Sequence, residues 1–311
     1  MSKGALNPRV VFGDALLEAG QKNDRVLAIS TDSSGGSQLT AFKNEFPERH
    51  IEYGIMEQGA VGYAAGLATT GWVPFYAAIA PFVTGRPFEM LKDDLGYMET
   101  NVKVVGRCSG ITYSDLGPTH HSIDDFAMLQ TIPGMTILNP GDPVSIRKAI
   151  LVAADTYGPM YIRIGSPAMP VIYDESMDFE IGKGIELRDG SDVTLIATGT
   201  MLAYAVEACE KLETQGASVQ LIDMHTIKPL DRDLISKCAA KTGRIVTLEE
   251  HYISGGFGSA VAQHCAEHNP VPVKCLGIKD EWVGNGPYEP LLESCGLSVD
   301  QIVESIAKFI K

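Results

Sequence analysis

Residues 51–66 read IEYGIMEQGAVGYAAG, and this stretch decides the fold class. The stretch contains a short apolar run, a glycine and then a series of small residues. This order is typical of a strand that is followed directly by a helix. Glu57 then falls in the first turn of that helix. Because open α/β sheets bind ligands beyond the carboxyl ends of their strands, the carboxylate of Glu57 is a candidate functional group.

The same strand-then-helix order recurs along the chain. Buried strands are predicted at residues 25–30 and 160–164 and, after a linker rich in proline, again at residues 192–197. Alternation of this kind predicts parallel sheets covered by helices. We therefore predict an α/β protein of two consecutive units, a parallel-sheet domain over residues 1–172 and a smaller mixed-sheet domain over residues 173–311.

Composition and charge limit the classes of partner. The chain has 311 residues, of which 45% are hydrophobic, and a formal net charge of −14. This charge argues against nucleic acid, which needs a basic surface. No run of 18 uncharged apolar residues predicts a membrane span, and the N-terminus has no apolar signal core. The six cysteines are widely spaced, which favours reduced thiols and a cytoplasmic protein.

An anionic substrate would meet an unfavourable overall field in so acidic a protein. Local cations would have to overcome it at the binding site. Arg86, Lys92, Arg163 and the histidines are the candidates.

Three segments together resemble the transketolase family of thiamine diphosphate enzymes, at residues 51–68, 75–88 and 117–120. The resemblance extends more weakly to the C-terminus and covers only the later half of an ordinary transketolase. It implies a pyrimidine-binding domain followed by a transketolase-like C-terminal domain.

The resemblance assigns cofactor contacts to four residues. Glu57 matches the acid that protonates the aminopyrimidine ring, and Phe82 matches the aromatic residue that stacks on it. Ile55, Met56 and Ile79 are the apolar neighbours that would favour the protonated form of the acid; Ile79 stands where the family usually has a second aromatic residue. Judged alone, Glu57 is better explained as a partner of the helix dipole, and Phe82 is equally well explained as an ordinary core residue.

Substrate contacts are implied for four further residues. His120 matches the histidine that contacts the substrate and helps to move protons, with His121 in a supporting role. Arg163 matches the arginine that grips the terminal phosphate, and Ser37 a hydroxyl of the same site. Asp32 matches a contact to a substrate hydroxyl, although a helix N-cap would explain it as well.

The chain departs from the family pattern just before His120. Cys108 stands where a histidine usually contacts phosphate, Leu116 where an aspartate usually reads a sugar hydroxyl, and Tyr113 where a small aliphatic residue is usual. Buried hydrogen-bonding groups discriminate strongly between substrates. We therefore expect an unusual substrate, such as a branched or sulfonated sugar.

The family binds Mg²⁺ and the diphosphate through a Gly-Asp-Gly motif that this sequence lacks. We expect no metal site in this chain and expect a separate N-terminal diphosphate-binding subunit to hold both groups. The assembly would then be a heterotetramer with two copies of each chain, acting on sugar phosphates in carbohydrate metabolism.

Two other interpretations share these features. The first is the β subunit of a 2-oxoacid dehydrogenase E1 component, which has the same domain order and the same glutamate. The second is a non-catalytic α/β partner subunit. The segment at residues 117–120 and Arg163 favour transketolase over the first, and Glu57, Phe82 and His120 together argue against the second.

Overall fold

The computed structural model describes residues 4–311. Within this range the strands form two separate sheets, one of seven strands and one of five. The strands are β1 (Val26–Ser30), β2 (His50–Glu52), β3 (Val73–Ile79), β4 (Lys103–Arg107), β5 (Thr136–Leu138), β6 (Met160–Ile164), β7 (Ile185–Arg188), β8 (Val193–Ala197), β9 (Val219–Asp223), β10 (Thr226–Lys228), β11 (Ile245–Tyr252) and β12 (Val273–Ile278).

The connections between strands are mainly helical. The α-helices are α1 (Pro8–Lys22), α2 (Thr40–Glu45), α3 (Glu57–Thr69), α4 (Ala80–Val83), α5 (Phe88–Met90), α6 (Asp125–Leu129), α7 (Pro143–Asp155), α8 (Met201–Thr214), α9 (Arg232–Thr242), α10 (Phe257–His268), α11 (Tyr288–Ser294) and α12 (Val299–Ile310). Two short 3-10 helices (Pro47–Arg49 and Ser114–Thr119) and one π-helical segment (Leu91–Tyr97) complete the set in the described residues.

The first sheet has the strand order β10-β5-β6-β4-β3-β1-β2. Its neighbours run parallel except for β10, which is antiparallel to β5. The second sheet has the order β12-β11-β8-β9-β7, with only the pair β7–β9 antiparallel. The predicted α/β fold, with a parallel first sheet and a smaller mixed second sheet, is confirmed.

Helices cover both faces of the first sheet, as buried parallel strands require. One face packs on α1 and α7 through residues such as Phe12 and Ile150. The other face packs on α3, whose small residues Ala60 and Ala64 are fully buried against the strands. The apolar cluster on the α3 side continues through Ile222 into the second sheet, so the two units share one core.

The boundary between the two units does not fall at a single point in the sequence. β10 lies beyond residue 172 in the chain, yet it pairs with β5 of the first sheet. The division into residues 1–172 and 173–311 therefore stays a prediction.

The carboxyl ends of β1, β3 and β4 lie side by side at one edge of the first sheet. Ile79 at the end of β3 is in register with Arg107 at the end of β4. The chain leaving β2 enters α3 next to the same edge. Loops from four strands thus converge where an open α/β sheet binds ligands.

Candidate active site

Glu57 is the first residue of α3, in the turn that follows β2. Only 4% of the residue is exposed, and Met56 at the N-cap gives the helix no side-chain acceptor. A carboxylate in this position interacts favourably with the partial positive charge of a helix N-terminus. The fold therefore places one buried acid beside the strand ends.

Arg86 contacts Glu57 and covers Phe82 at the same time. Its Nη1 atom lies 2.8 Å from Oε1 of Glu57, and its guanidinium carbon lies 4.1 Å from the ring centroid of Phe82. The side chain of Arg86 is 40% exposed, so it is open to solvent. A planar group rich in nitrogen thus stacks on the aromatic ring while it meets the acid.

His120 follows a short 3-10 helix and joins the same cluster. Its ring centroid lies 5.2 Å from that of Phe82 and 5.5 Å from that of Tyr113, both edge to face. Its Nδ1 atom lies 2.9 Å from the hydroxyl of Thr119. Burial lowers the pKa of His120, and the charge of Arg86 lowers this pKa further. The imidazole is therefore neutral at pH 7, and a neutral imidazole can accept a proton.

His121 is more deeply buried than His120. Burial lowers the pKa of His121 to about 4. Neither of its ring nitrogens has a hydrogen-bond partner among the described residues. A neutral imidazole with both nitrogens free thus stands next to His120.

The predicted apolar surroundings of Glu57 are not formed by its chain neighbours. Ile55 is 73% exposed and Met56 is 58% exposed, because both lie in the turn before α3. Ile79 is half-buried at the end of β3. Within this chain the nearest ionic partner of the carboxylate is Arg86, which sequence reasoning named only as a local cation.

The structure corrects the phosphate-binding prediction for Arg163. Its side chain is 1% exposed, and its Nε atom lies 2.8 Å from Oδ2 of Asp125. Its Nη2 atom donates to the carbonyl oxygens of Ser122 and Glu250, at 2.8 and 2.9 Å. Because Glu250 belongs to the second sheet, Arg163 links the two units inside the protein and is not open to a substrate.

Ser37 and Asp32 lie in the loop that follows β1. Ser37 is fully buried; its hydroxyl donates to the carbonyl oxygen of Ala77 at 3.3 Å and accepts from Nε of Arg107 at 2.9 Å. Asp32 is exposed and has a left-handed backbone with φ of 52°. The hydrogen bond from Arg107 thus connects Ser37 to the carboxyl-terminal edge of the first sheet, whereas Asp32 faces solvent.

Cys108 and Leu116 differ in exposure. Cys108 directly follows β4, is 2% exposed and has a φ of 54°. Leu116 is 46% exposed in the 3-10 helix before His120. An exposed apolar side chain thus stands at the position where the resemblance places an aspartate.

Arg107 is a residue of this edge that sequence reasoning missed. It ends β4 and is 6% exposed. The available signal was its place in the chain, since a basic residue at the end of a buried strand points to the ligand-binding edge.

The glycine run at residues 254–258 does not form a phosphate loop. The carboxylate of Glu249 accepts hydrogen bonds from the backbone N–H groups of Phe257 and Gly258, both at 2.7 Å. The N-terminus of α10 is therefore already occupied by a side chain of the protein. The glycine run forms a tight turn between β11 and α10.

Fold and site together define an α/β protein of two units whose candidate site lies at the strand ends of the first sheet. Residues 5–170 match the pyrimidine-binding domain of transketolase, and residues 182–302 match the transketolase C-terminal domain. The chain belongs to the transketolase family.

Several of the similar proteins are transketolase subunits. One of the subunits of the apulose-4-phosphate transketolase of Phocaeicola vulgatus is 39% identical over 312 residues, which cover 100% of both chains. A 6-deoxy-6-sulfo-D-fructose transketolase subunit of Clostridium sp. is 37% identical over 96% of this chain and 92% of its own length. A solved split-gene transketolase, described as an inactive β4 tetramer, superimposes with a TM-score of 0.89 at 37% identity and 98% coverage of both chains.

No helix in residues 4–311 combines the length and the apolar character needed to cross a bilayer.

Proposed function

We propose that this chain is the C-terminal subunit of a split transketolase. With a separate diphosphate-binding subunit it would transfer a two-carbon ketol unit from an anionic ketose to an aldehyde. The observation that carries the proposal is the cluster of Glu57, Phe82 and His120 beside the strand ends of the first sheet. An acid, a stacking surface and a neutral imidazole are the groups that this chemistry requires.

The residues fit the pyrimidine half of thiamine diphosphate. The contacts of Arg86 support this fit, since a planar nitrogen-bearing group stacks on Phe82 and reaches Glu57 in this chain. When bound, the cofactor supplies the carbon nucleophile. Glu57 would hold a proton at a ring nitrogen, Phe82 would orient the ring, and Ile79 with Ile55 would line its apolar side.

His120 would handle protons on the substrate. Its lowered pKa keeps the imidazole neutral near pH 7, so that it can take a proton from a substrate hydroxyl and return it later. Thr119 bonds Nδ1 of His120 and thereby fixes the orientation of the ring.

The diphosphate and Mg²⁺ are assigned to the partner subunit. Two observations support a partner: the full-length match to one subunit of a split enzyme, and the apolar surface around the cluster. Ile55, Met56, Tyr63 and Tyr97 are exposed at the start of α3, on its flank and on the π-helical segment. Exposed apolar patches of this kind mark interaction surfaces. The assembly we propose contains two copies of each subunit.

The substrate we propose is a ketose with a branched skeleton or a sulfonate in place of a phosphate. The names of the two relatives refer to apulose 4-phosphate and to 6-deoxy-6-sulfo-D-fructose. In this chain Cys108 and Leu116 replace polar residues beside His120, which alters the groups that read sugar hydroxyls.

The test is ketol transfer by the reconstituted complex against a panel of donors. The panel contains xylulose 5-phosphate, fructose 6-phosphate, apulose 4-phosphate and 6-deoxy-6-sulfofructose. We expect the highest kcat/KM for one of the last two. Efficient turnover of the first two alone, with no gain for them in Leu116→Asp, would contradict the substrate proposal. Decarboxylation of pyruvate with a lipoyl acceptor would instead support the dehydrogenase alternative.

A further inference from the structure

Arg107 lies at the strand-end edge and carries a charge that the protein leaves without a carboxylate. It is 6% exposed and in register with Ile79 on the neighbouring strand. Neighbouring strands are about 4.8 Å apart, so a group bound at Arg107 would lie close to the residues proposed to hold the cofactor ring.

The hydrogen bonds of Arg107 use only part of its guanidinium. Nε donates to the hydroxyl of Ser37 at 2.9 Å, and Nη1 lies 3.7 Å from the sulfur of Cys108. A thiol is a weak acceptor. For Nη2 there is no hydrogen bond to any residue in the described range 4–311.

The other two arginines of this region have carboxylate partners. Arg86 pairs with Glu57 and Arg163 pairs with Asp125, whereas Arg107 has no salt bridge in the part of the chain that the structure describes. Arginine keeps its charge at physiological pH. Because a buried charge is unfavourable unless it is paired, Arg107 calls for an anion from outside the chain.

The backbone around Arg107 is shaped to admit the guanidinium. A Cβ atom on Gly36 would lie 2.9 Å from Nη2 of Arg107, so the loop after β1 packs directly on this side chain. Asp32, Gln38 and Cys108 are three of the four non-glycine residues with positive φ in the described chain. Backbone strain of this kind concentrates at functional sites.

We propose that Arg107 binds the anionic end of the ketose substrate and sets the preference for a charged donor. The ligand class is a tetrahedral oxyanion, phosphate or sulfonate, which a guanidinium binds with two parallel N–H groups. Ser37 is a positioning residue: by holding Nε it leaves the two terminal nitrogens for the oxyanion. This proposal rests on the proposed function and replaces the role first predicted for Arg163.

The first experiment compares charged and neutral donors in the reconstituted complex. Arg107→Met should lower kcat/KM for 6-deoxy-6-sulfofructose and for phosphorylated ketoses by roughly 100-fold. Turnover of neutral erythrulose should stay within about twofold, and Arg107→Lys should be intermediate for the charged donors. The ratio of sulfonate to phosphate turnover in the unmodified complex distinguishes the two oxyanions.

Lys103→Met provides a matched control. Lys103 is a fully buried cation at the opposite end of β4, where it donates to Asn101 and to the carbonyl oxygens of Thr156 and Gly158. Its replacement should affect charged and neutral donors equally. An equal loss for both kinds of donor in Arg107→Met would overturn the proposal, because Arg107 would then only fasten the loop after β1.

A second experiment does not depend on catalysis. Inorganic phosphate and sulfate should each raise the thermal midpoint of the full chain, and Arg107→Lys should weaken the effect while Arg107→Met abolishes it. If Arg107→Met does not fold, Ser37→Ala should still weaken the response. No response in the unmodified chain, or an equal one in Arg107→Met, contradicts the anion site even where ketol transfer is observed. A normal response without ketol transfer contradicts only the proposed function.

Discussion

Glu57 has two separable roles, as a partner of the helix dipole and as the proposed acid of the active site. Glu57→Gln keeps the shape of the side chain but removes the acidic proton. We expect the change to alter the free energy of unfolding by about 1 kcal/mol or less and to remove most ketol transfer. Denaturant titration of the chain and turnover of the reconstituted complex measure the two effects. Near-normal turnover would leave Glu57 with the dipole role alone.

Arg86 occupies the space between Glu57 and Phe82 that the cofactor ring would need. Removal of this internal competitor should strengthen cofactor binding in the complex, by up to about tenfold if its release costs about 1.4 kcal/mol. The measurement is the Kd for thiamine diphosphate with Arg86→Met.

Arg147→Met is the control for this prediction, since Arg147 is similarly exposed, at 37%, and pairs with Glu18. It should leave the Kd unchanged. Weaker cofactor binding in Arg86→Met would indicate that Arg86 supports the cofactor rather than competes with it.

His120 provides a pH-dependent signal in the isolated chain. Burial is the main cause of its lowered pKa and the charge of Arg86 the second, so its ring should become protonated only below the ordinary value of about 6.5. Arg86→Met should move this pKa upward without restoring it fully. An NMR titration of the His120 ring tests both statements, and an unchanged pKa in the variant would show that the two groups do not interact.

The residues that sequence reasoning placed best are those in local motifs. Glu57, Phe82 and His120 come together because each follows a strand of the first sheet, Glu57 and Phe82 in the first turns of α3 and α4 and His120 in a loop. The position of Arg163 could not be predicted from a local motif, because its role depends on which face of the sheet its side chain occupies. It is in register with Gly106, and side chains alternate along a strand, so it faces away from Arg107. Register is a tertiary property that spacing does not contain.

The 3-10 helix Ser114–Thr119 holds His120 through one glycine. Gly117 has a φ of 70°, and a Cβ atom there would lie 3.0 Å from Cβ of Asn285 in the second unit. Gly117→Ala should therefore displace the His120 loop, lower kcat and destabilise the chain by roughly 1–3 kcal/mol. Turnover of the complex and thermal unfolding of the chain provide the measurements.

Gly216→Ala separates backbone strain from contact. Gly216 has a φ of 85°, but a Cβ atom there would have no neighbour within 4 Å, and the residue follows α8 in the second unit. This change should destabilise the chain without lowering kcat of the folded complex. Equal losses of kcat in both variants would remove the special role of the His120 loop.

Among the elements, long buried strands were predictable and the irregular ones were not. Periodicity and turn residues located β1, β6 and β8 within a residue or two. Between β3 and β4 the chain forms α5 and then a π-helical segment, a wider helix that local propensity does not distinguish from an α-helix. β10 joins the first sheet from the second half of the chain, a pairing that depends on how the units pack.

For the molecule as a whole, the surface around the cluster suggests that the chain supplies half of an active site. The buried acid and the exposed side chains Ile55, Met56 and Tyr63 lie on one helix, α3, and the turn that leads into it. A partner that covers this surface would enclose the cofactor between the two subunits. Because the net charge is −14, only local cations can attract an anionic substrate. Arg107 is one of these cations; it is buried and has no salt bridge within residues 4–311.

Calorimetric titration of thiamine diphosphate with Mg²⁺ tests the shared active site most directly. The titration is made into this chain alone, into the diphosphate-binding subunit alone and into their mixture. We predict weak binding to this chain alone and tight, Mg²⁺-dependent binding with ketol transfer only in the mixture, because the metal-bridged diphosphate provides much of the anchoring. Tight Mg²⁺-dependent binding to this chain by itself would contradict the split-subunit account.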